Sequence, residues 1–236
     1  MRSNTWSPDG SQIAAGFFNG EIVILDSQTG KQLANPGGCG EGYFSADSAW
    51  SPDGSKFAAA CDDWKALVWD AKTWELLFTL YHEKPTYLNL IAWSPDGTRL
   101  LTGGGNDERG GGNTSAIIWD VKTGNEIQSL RGHTKMIWPG SWSPNSKRVA
   151  TYGSDGSVRI WNAITGSELL TLSIPESPVG SAKWSPDGRL ISIMGWDTLV
   201  SVWRVWQSTD ELIAYAKENY VFRQLTEAER QQFGLP

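Results

Sequence analysis

Short apolar stretches alternate with clusters of Gly, Pro, Asp, Asn and Ser along most of the chain. A first kind of stretch ends in tryptophan. A second follows it, such as KFAAA at 56–60 or RLISIM at 189–194. A third reads EIVILD (21–26), KALVWD (65–70), SAIIWD (115–120), SVRIWN (157–162) and TLVSVW (198–203). A fourth, shorter one follows in four places: KQLA, ELLFTL, EIQSL and ELLTL. Apolar runs this short, bounded by turn residues, predict β-strands. Four of them in succession with tight connections predict an up-and-down antiparallel sheet.

The pattern repeats. WSPDG begins at Trp6, Trp50, Trp93 and Trp184, and a variant, WSPNS, begins at Trp142, so the successive steps are 44, 43, 49 and 42 residues. A period near 40–45 marks a propeller or solenoid array. Ser-Pro-Asp-Gly suits a type I turn, with φ preset by Pro and Gly at the fourth position. The third strand keeps register with the first: Trp6 to Leu25, Trp50 to Trp69, Trp142 to Trp161 and Trp184 to Trp203 all span 19 residues. Trp93 to Trp119 spans 26, which puts a seven-residue insertion within GGGNDERGGG at 103–112. A single four-stranded sheet cannot bury both faces, whereas sheets stacked radially bury each face against a neighbour.

These residues resemble the WD40 repeat family. VWD at 68–70 and IWD at 118–120 carry its dipeptide, IWN at 160–162 is a near copy, and Gly132-His133 supplies its Gly-His. The resemblance implies an all-β propeller of about five four-stranded blades over 1–204 (1–34, 44–80, 87–130, 136–172 and 179–204). It also implies a structural tetrad in the fourth repeat: His133, Asp155, Thr151 and Trp161. The second repeat keeps Asp63 and Trp69 but has Ala59 at the hydroxyl position, and the fifth keeps Asp197 and Trp203. Rings of this family close with a strand donated from the N-terminal side, and no donor strand is visible ahead of Trp6. Either the chain is the C-terminal portion of a longer protein, the favoured reading, or five blades form a small or open ring that can self-associate through its unclosed edge. Residues 205–236 read as a helical tail, with capping boxes at Ser208–Glu211 and Thr226–Glu229. The tail is similar to that of bacterial multidomain WD40 proteins.

Charge and composition remove several function classes. The net charge is −6, with no basic run, against nucleic-acid binding. No stretch has the apolar length to span a bilayer. Cys39 and Cys61 are expected to be free thiols in a cytoplasmic protein, with a disulfide between them as the less favoured alternative. No catalytic triad, metal-ligand spacing or cofactor motif stands out from the repeat frame. The glycine-rich insertion lacks the Gly-Lys-Ser/Thr of a phosphate loop.

Tryptophan adds a candidate site. Nine of the fourteen tryptophans are repeat positions, whereas Trp64, Trp138 and Trp196 fall at the ends of blades. The resemblance puts that end on the top face, where partners dock. Arg109 on the insertion and Phe18 and Asp62 in neighbouring turns join them as the expected surface for a protein or peptide partner. The expected function is a non-catalytic interaction scaffold, the sensor or regulatory propeller of a larger bacterial signalling or defence protein. A structural open propeller is the alternative, and a propeller hydrolase is less favoured.

Overall fold

The computed structural model describes residues 3–17, 19–40, 45–61, 64–82, 87–105, 114–173, 179–195, 200–206 and 208–219. Five antiparallel sheets follow one another along the chain. The first holds β1 (Ser3–Trp6), β2 (Gln12–Gly16), β3 (Ile22–Asp26) and β4 (Gln32–Ala34). The second holds β5 (Ser45–Trp50), β6 (Lys56–Cys61), β7 (Lys65–Asp70) and β8 (Leu76–Tyr81). The third holds β9 (Leu88–Trp93), β10 (Arg99–Gly104), β11 (Ala116–Asp120) and β12 (Glu126–Leu130). The fourth holds β13 (Ile137–Trp142), β14 (Arg148–Gly153), β15 (Ser157–Asn162) and β16 (Glu168–Ser173). The fifth has three described strands, β17 (Val179–Trp184), β18 (Leu190–Gly195) and β19 (Val200–Arg204). In every sheet the strands pair in chain order, as WD40 propeller blades do.

Local chemistry builds each blade. In the Ser-Pro-Asp-Gly turns, Ser7, Ser51, Ser94 and Ser185 each donate from Oγ to the Asp two residues on, at 2.6 Å. The same Oγ atoms accept the backbone N–H of Gln12, Lys56, Arg99 and Leu190 at 2.9 Å. The turn is thereby pinned on both sides of the second strand's start. Ser146 takes the glycine position of the variant turn at φ 58°. The Asp that ends the third strand closes the next turn: Asp70 Oδ1 accepts the N–H of Lys72 and Thr73, and Asp120 Oδ1 those of Lys122 and Thr123.

The blades lock together through their repeated tryptophans. The indole N–H of Trp50, Trp93, Trp142 and Trp184 donates to the carbonyl of Thr5, Ala49, Ala92 and Ser141. Each acceptor immediately precedes the tryptophan of the blade before. One register thus runs from blade to blade, and apolar clusters fill the spaces between the first and second, second and third, and third and fourth blades.

The expectation of two free thiols is wrong: Cys39 and Cys61 form a disulfide. Sequence spacing hides it because the two belong to different blades. The segment after β4 folds back along β3, with a bridge between Glu21 and Gly38 and a bond from Cys39 N to Gly20 O. A Cβ on residue 38 would lie 1.8 Å from Gly20 O, so only glycine lets the segment approach and bring Cys39 to the end of β6.

Two compact units divide the chain, Met1–Trp203 and Arg204–Pro236. In the second, α1 (Thr209–Asn219) starts with the Ser208 side chain accepting the N–H of Glu211. Tyr215 of α1 packs on Trp206 with centroids 4.7 Å apart, and the Arg204 guanidinium lies over both rings. The second expected capping box lies outside the described residues.

Candidate partner-binding face

In each blade the second strand ends, and the third begins, at the same end of the sheet. Trp64 closes the β6–β7 turn. Trp138 pairs with Tyr152, one residue from the end of β14, and so lies at the same end of its own blade. Phe18, Asp62, Arg109 and Trp196, expected beside them, lie outside the described residues.

Trp64 and Trp74 have the same unusual backbone but different surroundings. Their φ values are 57° and 60°, a region that costs a bulky side chain about 1 kcal/mol or more. Trp74 stands where the other blades have Gly30, Gly124 and Gly166. It recovers that cost by packing edge-on against Trp50 (5.6 Å) and Phe57 (6.0 Å). Trp64 is 40% exposed, and its carbonyl accepts the N–H of His82 at 2.9 Å. Its backbone is held, and its indole is presented to solvent. Trp138 is half-buried, with its indole N–H on Ser154 Oγ at 3.0 Å.

Beneath this face in the fourth blade, a relay runs inward. Trp161 Nε1 donates to Thr151 Oγ1 (2.8 Å), Thr151 Oγ1 lies 2.8 Å from His133 Nε2, and His133 Nδ1 lies 3.0 Å from Asp155 Oδ2. Ser157 Oγ and Thr134 N also donate to Asp155. Burial opposes the Asp155 charge, but these bonds outweigh it and hold the carboxyl well below its usual range. His133 is therefore fully engaged in holding the blade.

The third blade has a parallel chain that sequence reasoning missed. Trp119 Nε1 donates to Thr102 Oγ1 (2.7 Å), which lies 2.8 Å from His82 Nε2. Thr102 stands nine residues after Trp93, as Thr151 does after Trp142; that offset was the legible signal. His82 Nδ1 is buried with no hydrogen-bond partner among the described residues, and burial pulls the imidazole down to about 4.

A second missed group is Asp47 on the inner strand β5. Burial pushes its carboxyl up to about 6, although the N–H groups of Ile91 and Ser48 donate to it and Lys183 favours its charge. Tyr152 is pushed up to about 12 by burial and by the Asp47 charge. An acidic residue in the ordinary strand SADSAW carried no warning of this environment.

Among the described residues, no group of three or more His, Cys, Asp or Glu could hold a metal ion. No described helix is long and apolar enough to cross a membrane.

Comparison with known proteins fits this geometry. The family profile described as "WD domain, G-beta repeat" matches residues 44–70, 74–120, 124–162 and 166–204, more than half of the chain. A 41-residue segment is 46% identical to coronin-7 of Mus musculus, a match covering 17% of this chain and 4% of that protein.

Proposed function

Because the chain belongs to the WD40 repeat family, whose members are protein-interaction scaffolds and typically non-catalytic, we propose that it binds a protein or peptide across the blade end carrying Trp64 and Trp138. The observation that carries this reading is the Trp64 indole, held at positive φ yet 40% exposed. Strain that burial does not recover is characteristic of functional positions, and tryptophan is a favoured anchor at interfaces. By their places in the repeat frame of the sequence, Trp196, Arg109, Phe18 and Asp62 are included in the proposed surface. On the similarity of its tail, the chain serves as the sensor or regulatory part of a larger bacterial signalling or defence protein.

The test is affinity capture with the whole chain, then calorimetric titration of the purified partner. Trp64→Ala and Trp138→Ala should each weaken binding by about 2 kcal/mol or more at unchanged melting temperature. Lys122→Ala, in the turn between third and fourth strands, should leave affinity unchanged. Equal losses from both ends of the blades would overturn the assignment.

The Cys39–Cys61 disulfide weighs against the expected cytoplasmic location, since such bonds persist chiefly in oxidising compartments. Alkylation trapping in the native host, followed by thiol counting, decides the compartment. A second reading, assembly through the end blades, rests on the exposure of Trp6 (59%), Val200 (63%) and Val202 (63%).

A further inference from the structure

We propose that the cleft between the first and second blades, at the Ser-Pro-Asp-Gly end and thus away from Trp64, receives the guanidinium of an arginine from a protein partner. The internal repeat supplies the argument. Gln12, Lys56, Arg99 and Arg148 each stand five residues after the serine of their turn. Between the third and fourth blades, Arg99 fills this position. Its guanidinium lies 5.0 Å over the Trp142 ring. Nη2 donates to Ser146 O at 2.6 Å and to Asp96 Oδ2 at 3.3 Å, and Nη1 donates to Ala163 O at 3.3 Å.

Each of those partners has a counterpart between the first and second blades. Trp50 stands for Trp142, Gly54 for Ser146, Ala71 for Ala163 and Asp9 for Asp96. The blades dock in the same way, since Trp50 donates to Thr5 O as Trp142 donates to Ala92 O. Only the cation is missing, because Gln12 occupies the Arg99 position. In its place is a cleft of about 330 Å³ lined by these four residues together with Gln12 and Asp53.

The chemistry of the cleft is one-sided. Gln12 Oε1 is buried with no hydrogen-bond partner among the described residues. Bonds from serine hydroxyls and backbone N–H groups hold both Asp9 and Asp53 at about 2, so both carboxylates are charged at neutral pH. The site offers anions, carbonyl acceptors and an aromatic face. A guanidinium answers all three, being planar, charged and rich in fixed donors. An ammonium can neutralise the carboxylates but does not stack flat on Trp50 while reaching several acceptors.

The experiment follows the Trp50 indole N–H by NMR in the full-length ¹⁵N-labelled chain, with its resonance identified through Trp50→Phe. The probes are N-acetyl-arginine amide and N-acetyl-lysine amide. The arginine probe should shift the Trp50 signal saturably, and the lysine probe should bind at least about tenfold more weakly. Gln12→Arg should abolish the response by seating its own guanidinium, and raise Tm by about 3 °C. Gln12→Leu, which removes the unpartnered acceptor without filling the charged end, should weaken the arginine probe several-fold. Trp138→Ala should change nothing, which separates this site from the opposite blade end. Equal binding of both probes, or arginine binding undiminished in both Gln12 variants, would overturn the proposal.

Discussion

At the scale of single residues, the buried hydrogen-bond chains govern stability. Thr151 serves two neighbours at once, accepting from Trp161 and bonding His133. Thr151→Val keeps the shape and leaves Trp161 Nε1 and His133 Nε2 without a partner, so it should cost about 2–4 kcal/mol in urea unfolding, with Thr151→Ser costing less than half as much. Two buried ionisable groups then act in opposite directions with pH. Folded His82 titrates near 4 against 6.5 when unfolded. Between those values the unfolded chain binds the extra proton, so stability rises with pH. Folded Asp47 titrates near 6 against 3.8. There the folded chain holds the extra proton, so stability falls as pH rises. Each effect is on the order of 3 kcal/mol over its window, and they largely cancel. Wild-type stability should vary little between pH 4.5 and 6. His82→Gln should lose stability over that rise in pH, and Asp47→Asn should gain it. Parallel profiles for the two variants would refute the assignment.

At the scale of elements, the contact between blades depends on what stands at the Arg99 position. Arg99 joins two carbonyls of the fourth blade to the third and is stacked on Trp142. Arg99→Met retains the aliphatic stem but removes every donor. It should destabilise by about 2 kcal/mol, measured by thermal or urea melting, since hydrogen bonds from a charged group contribute about 1.5–3. Lys122→Met, at an exposed turn, should stay within about 0.5 kcal/mol. The blade frame itself was legible in the sequence because its causes are local. The Ser-Pro-Asp-Gly turn and the Asp ending the third strand bond within five residues of themselves. The proposed binding face was legible only as a position. Equivalent turn placement identified Trp64, but its held backbone depends on His82, which is distant in sequence.

At the scale of the whole molecule, the first and last sheets differ from those between them. Trp6 is 59% exposed, whereas Trp50, Trp93 and Trp142 are at most 8% exposed. Val200 and Val202 are each 63% exposed, while Val158 and Ile160, one repeat earlier, are fully buried. The open faces are of the kind that meet at each internal blade contact, and exposed apolar sheet surfaces associate. Light scattering at rising concentration should give a mass above the monomer's 25.9 kDa. Val202→Glu should shift the distribution back to monomer without lowering the melting temperature. A monomer at all concentrations would remove the assembly reading and leave partner binding as the sole function.

The repeat period and the strand order within each blade follow from the sequence. Each arises from short-range turn chemistry written several times over, so one copy corrects the reading of another. Tertiary structure decided what no repeat could. Cys39 meets Cys61 only because Gly38 lets the chain pass close to Gly20. Two tryptophans with nearly the same φ separate into one packed and one presented residue because only Trp74 has Trp50 and Phe57 beside it. Asp47 acquires its raised pKa from burial, which outweighs the opposing pull of Lys183 on a distant strand. The Gln12 cleft exists because two blades meet where one of them lacks its cation. In each case the deciding neighbour comes from another blade or the far side of a turn, and its distance in sequence carries no local mark.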